Sequence, residues 1–120
     1  MKEQVVIEHV SAVTFCVRQM EQSVGFYEKL GFAVIFGGSS AEFTSLQSSE
    51  AFLNLILTPD YRHQFWGRAI FRVRSADDQH QKVIQAGLQA DAPADAEWGE
   101  RYFHMRDPDG HELSFAQLLT

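Results

Sequence analysis

The chain has 120 residues, a length typical of one domain, so we treat residues 1–120 as a single domain. Its net charge of −6 at pH 7 argues against nucleic-acid binding, which depends on neutralising phosphates. No apolar run approaches the roughly 18 residues of a membrane span. The single cysteine, Cys16, excludes an internal disulfide and is typical of the cytoplasm, where we expect the protein to be.

The first half of the chain predicts a strand, a helix and three further strands. Residues 13–18, VTFCVR, alternate in the manner of a strand. Residues 20–31, MEQSVGFYEKLG, place apolar side chains at helical spacing and end at Gly31, a residue that suits a left-handed helix cap. Three runs with strand character follow, at residues 32–38, 41–46 and 51–57.

The second half repeats this order. Residues 69–74, AIFRVR, resemble residues 13–18, and a helix is predicted from Ser75, a capping residue, to Gly87. Three predicted strands follow at residues 88–92, 101–106 and 111–118, and residues 58–67 connect the halves.

The fold class is therefore α+β. Two βαβββ repeats, at about residues 5–57 and 67–119, form a curved mixed sheet with helices on its outer face and a concave ligand cleft. The sequence leaves open whether the two halves join their sheets within one chain or between two chains.

The strand alternation predicts a dry face and a polar face. Phe15, Leu55 and Phe115 belong to the apolar register that faces the helices. The opposite register is small and polar, and we expect it to line the cleft, although a plainly solvated face remains the alternative. The Asp107–Gly110 turn is expected only to close the last hairpin, with His111 exposed after it.

Two arginines on the polar face suggest anion binding. Arg68 and Arg72 lie four positions apart and so share a face of the strand, where with His104 they could hold a carboxylate or phosphate by charge-assisted hydrogen bonds. The alternative is salt bridges to Glu112 or Glu42. His104 titrates near neutral pH and could act as an acid or base, or simply as a structural hydrogen-bonding group.

The chain resembles the vicinal oxygen chelate superfamily over nearly its whole length. The similarity lies in FYEKLGF at residues 26–32 and in RDPDGHELSFAQ at residues 106–117. That superfamily includes glyoxalase I, bleomycin and fosfomycin resistance proteins and extradiol dioxygenases. The resemblance implies a divalent metal bound at four strand positions. In this sequence those positions hold Ala12, Asn54, Arg68 and Ser114.

None of these four side chains suits a metal, so we expect no metal cofactor. Alanine has no donor atom, and arginine carries a fixed positive charge. Metals in proteins prefer carboxylates and imidazoles. A non-standard site built from His9, His104 and Glu112 remains an alternative, and it would hold one divalent metal.

The metal-free, bleomycin-resistance-like branch is the better match. It implies a homodimer with ligand clefts where two sheets meet, and sequestration of an antibiotic or metabolite rather than catalysis. We expect a small-molecule ligand that is polar or anionic and has a planar part. The predicted ligand-binding residues are Phe52, Asn54, Trp66, Arg68, Arg72, Trp98, Tyr102, His104 and Ser114.

Two other functions remain open. An enzyme of the same fold (a lyase, isomerase or dioxygenase) would use His104, Glu112 and His9 with a metal, or His104 and Tyr102 as acid and base without one. A non-catalytic interaction subunit would have no ligand, and Trp66 and Trp98 would then be packing or interface residues.

Overall fold

The computed structural model describes residues 6–120, and it confirms the two βαβββ repeats. The first repeat comprises β1 (Val13–Val17), α1 (Met20–Leu30), β2 (Ala33–Phe36), β3 (Phe43–Ser48) and β4 (Ala51–Leu57). The second comprises β5 (Arg68–Arg72), α2 (Ala76–Gln85), β6 (Ala94–Asp95), β7 (Glu100–Arg106) and β8 (Glu112–Leu118). Neither of these two helices has the length and apolar character needed to cross a membrane.

Each repeat forms its own four-stranded mixed sheet. The strand orders are β1-β4-β3-β2 and β5-β8-β7-β6, with β1 parallel to β4 and β5 parallel to β8. The remaining pairs are antiparallel. The α+β class is confirmed, and the strands of one chain form two sheets rather than one continuous sheet.

Both helices have the boundaries that the sequence predicts. Gly31 follows α1 with a φ of 116°, a conformation that glycine adopts without a steric penalty. The Ser75 side chain accepts a hydrogen bond from the Asp78 backbone N–H at 3.1 Å and so caps the start of α2. Gly87 has a φ of 82° just beyond the end of α2.

The predicted strand at residues 88–92 is wrong. This segment is coil, and the strand that pairs with β7 is the two-residue β6. The stretch from Ala90 to Asp95 is rich in alanine and aspartate and contains Pro93, all of which are poor strand formers. Only a backbone hydrogen bond from Asp91 N–H to the His104 carbonyl (2.9 Å) ties the coil to β7 there.

The apolar register packs under the helices as predicted. Phe15, Leu55, Phe103 and Phe115 are each at most 2% exposed. The edge-to-face contact of Phe32 and Phe71, 5.5 Å between ring centroids, joins the two halves. One core therefore serves both sheets.

The turn between β7 and β8 contacts the first half of the chain. Asp107 Oδ2 accepts from the Tyr27 hydroxyl at 2.7 Å. Asp109 accepts from Arg18 Nε at 2.8 Å and from Ser23 Oγ at 3.3 Å. The two aspartates are 5% and 4% exposed. The turn does more than close a hairpin, because this turn clasp (Arg18, Ser23, Tyr27, Asp107 and Asp109) fastens the second half to β1 and α1.

The expectation that His111 is exposed is wrong, since it is 2% exposed. Its Nδ1 accepts from Trp66 Nε1, and its Nε2 donates to the Cys16 carbonyl, each at 2.8 Å. Because the indole N–H can only donate, the imidazole is neutral with its proton on Nε2. The ring also stacks on Phe15 at 4.7 Å, so His111 is a second buried link between the halves.

Replacing Tyr27 by phenylalanine tests the clasp. The change removes the hydroxyl that Asp107 accepts from, and a hydrogen bond to a charged group contributes about 2 kcal/mol. We expect Tyr27→Phe to lower the free energy of unfolding in urea by that amount. Tyr61→Phe is the matched control, because its hydroxyl meets only the exposed His63 and its loss should cost under about 0.5 kcal/mol. Equal losses of unfolding free energy in Tyr27→Phe and Tyr61→Phe would contradict a stabilising role for the turn clasp.

Candidate functional site

The sheet faces opposite the helices are open. Ile56 on β4 is 42% exposed, and Ile70 on β5 is 63% exposed. Both belong to the register that the sequence assigns to the concave face. Most of the predicted ligand-binding residues lie on these two faces, in two separate groups.

The first group is a polar network on β5, β7 and β8. The register places Arg68 opposite Glu112 and His104 opposite Ser114. Arg68 Nη2 lies 3.1 Å from Glu112 Oε1, and Arg68 Nη1 lies 3.1 Å from His104 Nε2. His104 Nδ1 is 2.6 Å from Ser114 Oγ. We call these four residues the Arg68 network.

The contact with Arg68 favours a neutral His104. Arg68 Nη1 lies 3.1 Å from Nε2 and 3.3 Å from Nδ1 of the imidazole. A guanidinium can only donate, so a ring that keeps one unprotonated nitrogen suits this contact better than an imidazolium. Burial, followed by the positive charge of Arg68, lowers the pKa of His104 below its ordinary value, while Asp91 and Glu112 oppose this. His104 is therefore neutral at pH 7.

Aromatic side chains continue from this network along the sheet. The rings of Tyr102 and His104 lie 5.0 Å apart, and Trp98 stacks on Tyr102 at 6.1 Å with 20° between the planes. Trp98 is 72% exposed. Its indole N–H donates to Glu100 at 2.8 Å, and Glu100 also pairs with Arg72 at 2.9 Å. Arg72 is therefore paired with Glu100 and does not belong to the Arg68 network.

The second group lies on the first sheet. Asn54 Oδ1 accepts from Ser45 Oγ at 2.6 Å, and Asn54 Nδ2 donates to Thr14 Oγ1 at 3.3 Å. Phe52 lies beside His9 at a cavity of about 520 Å³ that is lined by the first half alone. The predicted ligand-binding residue Trp66 lies in neither group, since its indole N–H is bound to His111 between the halves.

A second cavity of about 720 Å³ adjoins the Arg68 network and is lined by the second half alone. His104 and Glu112 form one side, and Leu88 and Asp91 from the coil after α2 form another. Asp91 is a neighbour of His104 that the sequence did not reveal, because its segment was assigned to a strand.

The four positions that the resemblance assigns to metal ligands do not have side chains that fit a cation. Ala12 has no donor atom, the Asn54 amide is hydrogen-bonded on both sides, and the Ser114 hydroxyl is bound to His104. Arg68 would place a positive charge beside the metal. Within residues 6–120, no three His, Cys, Asp or Glu side chains are grouped so as to hold a metal ion. His9 and His104 line different cavities, so the structure does not join them in one site.

Residues 7–115 match the model of the Glyoxalase/Bleomycin resistance protein/Dioxygenase superfamily. The chain belongs to this superfamily. No sequence among the curated proteins matches it.

Three solved structures illustrate its likeness within the superfamily. A bleomycin-binding protein complexed with bleomycin is 23% identical with a TM-score of 0.78, over 92% of this chain and 98% of that one. An integron cassette protein from the mobile metagenome of the Halifax Harbour sewage outfall is 25% identical with a TM-score of 0.81, over 93% and 100%. The fosfomycin resistance protein FosX of Mesorhizobium loti is 19% identical with a TM-score of 0.72, over 93% of both chains.

Replacing Arg68 tests the geometry of the network. Arg68→Met removes the charge that lowers the pKa of His104 and leaves Glu112, which raises it. We therefore expect the pKa of His104, followed by the imidazole NMR signals, to rise in this variant. Arg72→Met is the control, because Arg72 pairs with Glu100, and it should leave the His104 titration unchanged. An unchanged titration in Arg68→Met would contradict the contact.

Proposed function

We propose that this protein binds a small molecule without a catalytic metal, in a cleft formed when two copies pair their open sheet faces. The observation that carries this proposal is the contact of the Arg68 guanidinium with Glu112 and His104 on the open face of the sheet, at a position that the resemblance assigns to a metal ligand. A cation about 4 Å from this guanidinium would face a repulsion of roughly 4 kcal/mol at an effective dielectric of 20.

Arg68 is suited to hold an anionic or polar group. A guanidinium has five N–H donors, and the contacts to Glu112 and His104 leave others for a ligand. Its side chain is 33% exposed, so a ligand can reach it. Charge-assisted hydrogen bonds of this kind are strong and suit carboxylates and phosphates.

A planar part of the ligand would lie against the aromatic residues. Trp98 and Tyr102 present stacked, accessible rings beside the Arg68 network. Asn54 and Phe52 would reach the same ligand from the first sheet of the other copy. We propose sequestration of an antibiotic or a metabolite in the cytoplasm as the role, in line with a bleomycin-binding structural neighbour.

Several features support a homodimer. Each cavity is lined by one half of the chain, so a cleft between the two kinds of sheet needs a second copy. The radius of gyration is 15.5 Å, against about 13.6 Å for a compact domain of this length. The open faces carry the exposed apolar side chains of Phe36, Phe43, Ile56 and Ile70. Pairing of the open faces would bury them.

A ligand screen by thermal shift tests the binding function. A ligand at a hundred times its dissociation constant stabilises the folded state by roughly 2.7 kcal/mol. We expect anionic planar compounds to raise the melting temperature of the wild type and to lose this effect in Arg68→Met. Arg74→Met is the matched control, since Arg74 is exposed beyond the end of β5 and should keep the shift. A library with no stabilising member would contradict the proposal and favour an interaction subunit.

A charge on the open face tests the dimer. Ile70→Asp places a carboxylate at a position that pairing would bury, so we expect light scattering after size exclusion to show a monomer. Gln81→Asp is the control, because Gln81 is an exposed residue of α2 and does not line the cavity beside the Arg68 network. A monomeric wild type, or a dimer that both variants retain, would refute the pairing.

A further inference from the structure

We propose that binding of an anionic group at Arg68 is coupled to the uptake of one proton by His104. The inference rests on the proposed ligand-binding function and adds a pH-dependent selection of the ligand's charge. It is based on the contact of the Arg68 guanidinium with the His104 imidazole, in which Nη1 lies 3.1 Å from Nε2 and 3.3 Å from Nδ1.

The charges of the network explain why a proton is needed. At neutral pH, Arg68 contributes one positive charge, Glu112 one negative charge and His104 none. The network is therefore neutral before a ligand arrives, and Glu112 already occupies part of the guanidinium. A bound monoanion would leave an excess negative charge unless His104 became protonated.

The geometry of the Arg68 network allows His104 to take up this proton on a ring nitrogen. Protonation makes both ring nitrogens of His104 donors, so neither can accept from Arg68 and donors face each other across this contact. An anionic oxygen placed between Arg68 and His104 accepts from both. Ser114 Oγ, 2.6 Å from Nδ1, can accept from the protonated ring. A neutral carbonyl oxygen fits this position less well, because it has no negative charge to offset the positive charge of a protonated His104.

The groups around His104 favour its protonation when an anion binds to Arg68. Glu112 and Ser114 face it from β8, Tyr102 lies beside it on β7, and Asp91 approaches from the coil after α2. Both carboxylates stabilise an imidazolium. Burial and the charge of Arg68 keep the pKa of His104 low, and an anion on Arg68 offsets the second of these effects.

The sign of the pH dependence follows from linkage. If the anion raises the pKa of His104, affinity is highest below the pKa of the free protein. Affinity falls as the pH rises through the interval between the free and bound pKa values, and it is constant above that interval. A rise of one pKa unit corresponds to about a tenfold loss of affinity across the interval.

The experiment compares 2-naphthoate with the neutral 2-naphthamide as probes, using calorimetry on the intact protein. The pH runs from about 5.5 to 8, a range that includes the ordinary pKa of an imidazole and leaves the carboxylate ionised. We expect naphthoate affinity to fall about tenfold over this range, with proton uptake seen as a buffer-dependent enthalpy. Naphthamide affinity should stay constant. Saturating naphthoate should also raise the pKa of His104 measured by NMR.

Two histidine variants complete the design. His104→Gln retains hydrogen bonding but cannot be protonated, so its naphthoate affinity should not depend on pH. His80→Gln is the control, because His80 packs against Phe103 on the helix side of the sheet, and it should keep the wild-type dependence.

The failure of this inference can be told apart from a failure of the proposed function. Naphthoate binding that is independent of pH, or a dependence that survives in His104→Gln, overturns the inference and leaves the binding function intact. The inference also fails if naphthoate does not bind while a neutral library compound does. A screen in which no compound binds overturns the function itself.

Discussion

The two halves of the molecule are held together by carboxylates buried in one turn. Burying a carboxylate is costly unless hydrogen bonds satisfy it, and Asp107 and Asp109 find their donors on Tyr27, Ser23 and Arg18 of the first half. The turn joins β7 to β8, the strands that carry His104, Glu112 and Ser114. The same contact that fixes the arrangement of the halves therefore fixes the strands that hold the Arg68 network.

Much of the fold could be predicted from the sequence because its signals are local. Strand alternation separated Phe15 and Leu55 from the open faces, and Gly31 and Ser75 marked helix ends correctly. Residues 88–92 were wrongly predicted as a strand because they show a short apolar-polar alternation. The segment is coil in the structure, in keeping with the weak strand propensity of its residues.

The buried clasp and the position of His111 could not be predicted, because their partners lie far away along the chain. Tyr27 and Asp107 are separated by 80 positions, and His111 and Cys16 by 95. Polar residues beside a turn are normally predicted to be exposed. Only the packing of the two halves shows that Asp107, Asp109 and His111 are buried. The site was also only partly predictable. Strand alternation correctly placed Arg68, His104 and Ser114 on one face of the sheet. The position of Asp91 beside His104 depends on the path of the coil at residues 88–92, which the sequence pattern did not predict.

One substitution changes the electrostatics of the superfamily site. At a position that the resemblance to the superfamily assigns to a metal ligand, this chain has a guanidinium that is paired with Glu112. A fixed organic cation has directional donors and no open coordination position, so it favours recognition over Lewis-acid chemistry. This agrees with a site whose remaining residues are hydrogen-bonding groups and aromatic rings.

The most direct test of this account is a crystal structure of the protein purified without chelator and grown with an aromatic carboxylate, with anomalous data for transition metals. The account predicts a dimer with the carboxylate bound to Arg68, its ring against Trp98 or Tyr102, and no anomalous peak in the cleft. A metal ion coordinated between the paired sheets, or an Arg68 side chain directed into bulk water, would contradict it.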